Sequence, residues 1–328
     1  MQALELSSFS GVGSLRVVEK PVPTPGSGEV LVRVLASPVN PSDVMFCRGL
    51  YGITRSLPTT PGFEGCGLVV ANGGGLLGRW QRGKRVACGA QGKEGFWAEY
   101  AVVPATACLP LPAHVSDEQG ASALVNPVSA WAMFANFRAG RHRAMIQTAA
   151  AGQVGRMVMR LGLKFGTPVI HIVHRPPLVE TLRGLGAEYV LDSSAEGFDM
   201  ALKELAHRLH ATYALDAVGG DLTRRILAAM PNGTLVVYGA LSGKPCEADP
   251  RDLIFQDKRI EGFWLSQWLK GQNPLRILWR LKAVLPMLDS TFATEVSARL
   301  ALRQVPTELE SHLRTTSAGK TLILPGKR

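Results

Sequence analysis

The sequence predicts an α/β protein of two domains, one β-rich and one a doubly wound parallel sheet. Three observations carry this. First, the stretch 145–175, MIQTAAAGQVGRMVMRLGLKFGTPVIHIVHR, reads strand, small-residue turn, helix, strand. Second, strand-like runs at 188–192, 212–216 and 234–239 alternate with helical runs at 202–209 and 222–230, the rhythm of βαβ crossovers. Third, residues 1–120 hold short apolar alternations between glycines and prolines with few helical runs, as small barrels do.

Within the first 120 residues, strands are expected at 30–36, after the turn-rich segment 21–28, and at 68–70, 85–87 and 96–103. Between them lie Asn40-Pro41-Ser42-Asp43 and Arg48-Gly49-Leu50-Tyr51-Gly52. A tyrosine between glycines in a polar loop is poorly placed for a core, so the Tyr51 hydroxyl is a candidate to face a cleft. The alternative is a plain surface-loop tyrosine. A helical run over 117–124 then leads to Asn126-Pro127.

The turn Ala149-Ala150-Ala151-Gly152-Gln153-Val154-Gly155 opens the next helix. Gly152 and Gly155 allow a sharp turn and a close helix–sheet approach, which leaves the free amides at the helix N-terminus to face a pyrophosphate. Gly-x-x-Gly alone is a weak signal, and the flanking strands strengthen it. An NAD site usually places an acid about 20 residues past the glycines. Here the second strand ends in Val173-His174-Arg175-Pro176-Pro177, with no acid and two possible cations. Arg175 is suited to pair with a 2′-phosphate, so NADPH is expected over NADH. Read blandly, it is a solvated loop arginine. The strand ends at 217–220 and 238–241 should border the same cofactor.

After Trp268 the pattern changes. Asn273-Pro274 can cap and start a helix to about residue 285, followed by a strand-like 298–302, a short helix from Pro306 and an apolar 320–324. This tail is too short for a domain and should fold back onto the first. The expected domains are 1–122 with 266–328, and 123–265, with a cleft between them.

Composition narrows the function. At 328 residues with 46% hydrophobic content the chain can build two cores, and no apolar run reaches membrane-span length. Residues 1–5 lack the basic and apolar regions of a secretory signal and an Arg-rich transit segment, with removal of such a segment by processing left open; a cytoplasmic protein is expected. The net charge of +10 is dispersed, with no aromatic-laced basic stripe, which argues against nucleic acid; a generally basic surface explains it first, and acidic small molecules or an acidic carrier would also suit it. Cys47, Cys66, Cys88, Cys108 and Cys246 stand far apart, as reduced thiols do.

These residues together resemble the medium-chain dehydrogenase/reductase superfamily over essentially the whole chain, most closely its zinc-independent, mitochondrial-type 2-enoyl thioester reductases. The resemblance rests on Asn40-Pro41-Ser42-Asp43, Gly49-Leu50-Tyr51-Gly52, Asn126-Pro127, Val218-Gly219-Gly220 and, most specifically, Gly262-Phe263-Trp264-Leu265-Ser266-Gln267-Trp268. Zinc-less quinone oxidoreductases carry a similar tyrosine and are next closest.

The resemblance implies a GroES-like β-rich catalytic domain beside a Rossmann domain, and Tyr51 as the catalytic tyrosine. It places Asn126 at the nicotinamide, Ala151, Gly152, Gln153 and Val154 at the pyrophosphate, and His174 and Arg175 at the 2′-phosphate. Tyr238, Gly239, Ala240 and Leu241, with Phe263, Trp264 and Leu265, would line the nicotinamide end, and Lys320 would also touch the cofactor. Departures are Gln153 where relatives commonly have glycine, His174-Arg175 in place of an Arg-Asp-Arg run, and Trp131 for a tyrosine. No metal site is expected. The loop that supplies a zinc cysteine in metal-dependent relatives reads Asn40-Pro41-Ser42-Asp43, and their Gly-His-Glu reads Gly62-Phe63-Glu64.

The expected reaction is hydride transfer from NADPH to the β-carbon of an enoyl thioester carried by coenzyme A or an acyl carrier protein, with Tyr51 as donor to the enolate. Two other readings stay open: an NADPH:quinone oxidoreductase, and a non-catalytic NADPH-binding sensor or structural protein. A homodimer is implied by the resemblance alone.

Overall fold

In the computed structural model, residues 1–90, 94–270, 272–273, 281, 283–313 and 319–327 are described. The chain divides into two compact units, 1–127 with 285–328, and 128–284.

The first unit opens with the antiparallel pair β1 (Gln2–Leu6) and β2 (Leu15–Glu19). The strands β3 (Glu29–Pro38), β4 (Glu64–Asn72), β5 (Arg85–Gly89), β6 (Tyr100–Pro104) and β7 (Cys108–Pro110) follow. Alternation along β3 buries Val30, Val32 and Val34 against Val69, Val86 and Val103, while Arg33 between them stays outside. The expected strand at 96–103 is shorter than its apolar pattern suggested. Phe96 and Trp97 are fully buried core side chains ahead of β6, and only residue 98 forms an isolated bridge, to Ala3. Apolar burial and strand pairing are separate demands, and periodicity reports only the first.

The second unit carries β8 (Ala144–Gln147), β9 (Val169–Val173), β10 (Tyr189–Asp192), β11 (Ala211–Asp216), β12 (Gly233–Val237) and β13 (Lys258–Gly262). All pair in parallel, in the spatial order β10-β9-β8-β11-β12-β13. That is the 3-2-1-4-5-6 order of a dinucleotide fold, with its switch point between β8 and β11. β8 and β9 are buried along their whole length, as strands covered on both faces must be. The helix Gln153–Phe165 buries Met157, Val158 and Leu161 and ends where Gly166 takes φ +62.

The chain then returns to the first unit. β14 (Val296–Leu300) pairs in parallel with β15 (Lys320–Ile323), which runs antiparallel to β3. The expected strand at 298–302 is thus shifted, because residues 302–304 turn into a 3-10 helix before the helix Val305–Leu313. The helix expected from Asn273-Pro274 falls largely outside the described residues.

Candidate active site

In the second unit the parallel register brings most of the expected cofactor residues to one edge. Residues 151–154 follow β8, His174 and Arg175 follow β9, residues 238–241 follow β12, and residues 263–265 follow β13. Gly152 is the N-cap of the helix Gln153–Phe165 and brings no side-chain cap to its first turn. A Cβ added at Gly155 would lie 2.5 Å from the Ala150 carbonyl oxygen, so only glycine lets the helix approach the turn this closely. The Gln147 amide nitrogen donates to the Gly155 carbonyl at 2.9 Å and fixes that approach. An uncapped helix start over a glycine turn at the switch point fits a pyrophosphate. At the far end, His174 and Arg175 are exposed beyond β9, and His174 Nδ1 lies 3.0 Å from the Ser193 hydroxyl.

Asp216 organises this edge from within, a role not assigned to it from the sequence. Its buried carboxylate accepts from the Thr148 hydroxyl at 2.9 Å, the Thr223 hydroxyl at 2.7 Å and the Val218 amide at 2.8 Å. The Thr148 bond ties the end of β8 to β11, and the other two hold the turn after β11 and the helix Asp221–Ala229 to the same carboxylate. The available signal was an acid at a strand end just before Ala217-Val218-Gly219-Gly220. The Tyr238 amide donates to the Asp216 carbonyl at 2.8 Å, and burial beside the Asp216 carboxylate pushes the Tyr238 phenol up. The Phe263 amide donates to the Val237 carbonyl at 2.8 Å, whereas Ala240 and Leu241 are exposed.

In the first unit, Asn40-Pro41-Ser42-Asp43 starts a helix, Pro41–Cys47, with Pro41 in its first turn. The loop after it carries Tyr51, half-buried, its ring centroid 5.0 Å from that of Phe63. Phe63 packs edge-on against Phe46 at 5.5 Å, and the Arg55 guanidinium lies over both rings, at 5.4 Å from Phe46 and 5.5 Å from Phe63. Arg55 has its pKa lowered by burial, with Glu94 and Asp43 opposing.

Behind Phe63 lies a buried polar chain. Lys320 Nζ donates to Asn40 Oδ1 at 2.7 Å, and Asn40 Nδ2 donates to Glu64 Oε1 at 2.9 Å. Glu64 Oε2 accepts from the amides of Leu124 at 3.0 Å and Val125 at 2.9 Å. Asp43 accepts from the amides of Asn40 at 2.8 Å and Phe63 at 2.9 Å. Burial raises Asp43 to about 7, against the pull of those amides, with Glu64 adding to the rise. Burial likewise raises Glu64 and lowers Lys320. Lys320 and the Leu124 and Val125 amides, distant in sequence, are thereby the two ends of one network, and Asn126, the next residue along the chain, is buried. No group of three or more His, Cys, Asp or Glu side chains is placed to hold a metal ion among the described residues.

The glycine turn at a parallel-sheet switch point and the separate β-rich unit define a nucleotide-dependent oxidoreductase architecture. Residues 26–113 match the alcohol dehydrogenase GroES-like domain, and residues 154–281 match the zinc-binding dehydrogenase family. Over 256 residues, 76% of this chain and 68% of the relative, the sequence is 34% identical to the mitochondrial enoyl-[acyl-carrier-protein] reductase of Bos taurus. The Homo sapiens protein of the same name is 32% identical over 252 residues, 75% of this chain and 67% of its own. Among solved structures, a Mesorhizobium loti protein provisionally named an NADPH:quinone reductase superposes with a TM-score of 0.91 at 34% identity, covering 99% of this chain and 98% of that one. A mycobacterial protein complexed with NADPH gives 0.83 at 26% identity, covering 99% of this chain and 100% of that one. The chain belongs to the zinc-independent medium-chain dehydrogenase/reductases and, by that membership, is an NADPH-dependent oxidoreductase.

Proposed function

We propose that this chain reduces the C=C bond of an α,β-unsaturated thioester with NADPH. The observation that carries the reading is the loop tyrosine, Tyr51, packed on Phe63 beside a buried Asn40–Asp43–Glu64 network. The names of the curated relatives favour the thioester.

Bound NADPH supplies a hydride to the β-carbon of the acceptor. The chain then has to stabilise charge on the carbonyl oxygen as the enolate forms. The Tyr51 hydroxyl donates to that oxygen or protonates the α-carbon, and its packing on Phe63 fixes the ring for the task. Asn126 orients the nicotinamide, and residues 151–154 hold the pyrophosphate through backbone amides. His174 and Arg175 hold the 2′-phosphate, with no acid between them and β9 to repel it. Tyr238, Gly239, Ala240 and Leu241 line the nicotinamide end with Phe263, Trp264 and Leu265, and Lys320 contributes from the buried chain.

A second reading, NADPH:quinone oxidoreductase, is favoured by the full-length likeness to the Mesorhizobium loti structure. Parallel assays with crotonyl-CoA and a simple quinone at matched NADPH separate the two. The thioester is expected to give at least tenfold higher kcat/KM, and the opposite order would reassign the acceptor.

A further inference from the structure

We propose that Glu64 is a positioning residue for the cofactor site: its carboxylate, tied through Asn40 to Lys320, fixes the backbone that leads into Asn126. The proposal rests on Asn126 being the nicotinamide contact given above. Nothing in the metal-free chemistry of Tyr51 requires a buried acid here, and yet Glu64 is almost wholly buried.

The helix Asn126–Ala139 begins one residue after Val125. The Leu124 and Val125 amides therefore precede the first helical turn and cannot find acceptors within the helix. Glu64 Oε2 takes both, at 3.0 and 2.9 Å. Two adjacent amides held by one oxygen fix the direction in which the chain enters Asn126.

Glu64 has little freedom to turn away. A Cβ at Gly65 would sit 2.8 Å from the Phe96 ring, and Gly62, at φ +103, leaves 2.6 Å for a Cβ beside Trp97. Only glycines flank Phe63-Glu64 at this packing, so the backbone that carries the carboxylate is locked on both sides.

The other oxygen continues the chain. Asn40 donates to Glu64 through Nδ2 and accepts from Lys320 through Oδ1, so rotating its amide by half a turn would set donor against donor at Lys320. The orientation of Asn40 is thus decided at both ends, and Lys320 is linked to the Asn126 turn through two side chains. Glu64→Gln keeps the shape but has one acceptor oxygen where two face donors, so its NH2 meets either Asn40 Nδ2 or the Leu124 and Val125 amides, and the link is broken on one side or the other.

The test is a double-mutant cycle read by NADPH binding, using nucleotide fluorescence and no acceptor. Glu64→Gln is expected to weaken NADPH binding about tenfold in the parent chain and less than about twofold in an Asn126→Ala background. A general loosening of the unit would instead raise the dissociation constant by the same factor in both backgrounds, and that additive result would overturn the proposal. An Asn126→Ala chain that binds NADPH as the parent does would overturn it too, by removing the residue through which Glu64 acts. Should Glu64→Gln fail to fold, Glu64→Asp, which keeps the charge and withdraws it by one methylene, goes through the same cycle with the same criteria. Because no acceptor is present, a chain inactive on both crotonyl-CoA and quinone still gives the answer. Failure of the proposed reaction and failure of this coupling are therefore read separately.

Discussion

Tyr51, in its proposed role, and Asp43 bear on two different properties, turnover and stability. Replacing Tyr51 with Phe leaves the Phe63 packing intact and removes one hydroxyl. Turnover of crotonyl-CoA should fall about 10²-fold or more with the NADPH dissociation constant unchanged, as stopped-flow and fluorescence titration would report. An unaltered kcat would take Tyr51 out of the chemistry. Arg175→Glu should weaken NADPH binding by roughly 10- to 100-fold and leave NADH binding nearly as it was, measured by competition titration. Asp43 is a different case. Its folded pKa is raised from 3.8 to about 7 by burial, so the folded chain keeps a proton that the unfolded chain releases across that window. Its contribution to stability is full below its unfolded value and is lost as pH rises through about 7. Glu64, also raised, acts in the same sense, and Lys320, lowered, in the opposite one. Urea midpoints at pH 5 to 8 should therefore decline with pH less steeply in Asp43→Asn than in the parent. Tyr51 is a candidate in the sequence because it lies between glycines in a polar loop, and its proposed role comes from the resemblance. The network behind it was not visible there: Glu64 takes one donor from Asn40, 24 residues before it, and two backbone amides from 60 and 61 residues after it.

At the scale of elements, the helix Gln153–Phe165 and the turn before it are the most legible part of the chain. Small residues, a 3.6-residue apolar period and flanking strands all agree on one structure. The tightness of the joint is a quantity that only the coordinates give. Gly155→Val would drive two extra methyls and a Cβ into the Ala150 carbonyl, now 2.5 Å from an added Cβ. Chemical denaturation should show a loss of about 1–3 kcal/mol, and NADPH affinity should drop with it, since the helix start is displaced. An equally stable variant with normal NADPH affinity would mean that the turn does not set the cofactor site. The strand expected at 96–103 forms only in its later part, Tyr100–Pro104, for a physical reason. Phe96 and Trp97 are buried by packing in the first unit rather than by a ladder, and hydropathy does not distinguish the two.

For the whole molecule, we propose a homodimer formed through the second unit. β13 is an edge strand with one buried and four exposed residues, and Leu253, Ile254 and Phe255, just before it, are exposed by 40%, 68% and 76%. An edge strand that pairs on one side only among the described residues, beside exposed apolar side chains, invites pairing with a second copy. Light scattering should give twice the 35.2 kDa chain mass, and Phe255→Asp with Ile260→Lys should give a monomer; a parent that runs at the mass of one chain would refute the dimer. Strand–helix alternation, the glycine turn, the missing acid after Val173 and the Gly-Leu-Tyr-Gly loop were determined by the sequence alone, because each is a local pattern with a local cause. The joining of Lys320, Asn40, Glu64 and the amides before Asn126 into one buried chain was decided only by the tertiary structure, as was the saturation of Asp216. Hydrogen-bond partners in a core are chosen by where strands end in space, and separation along the chain carries no trace of that.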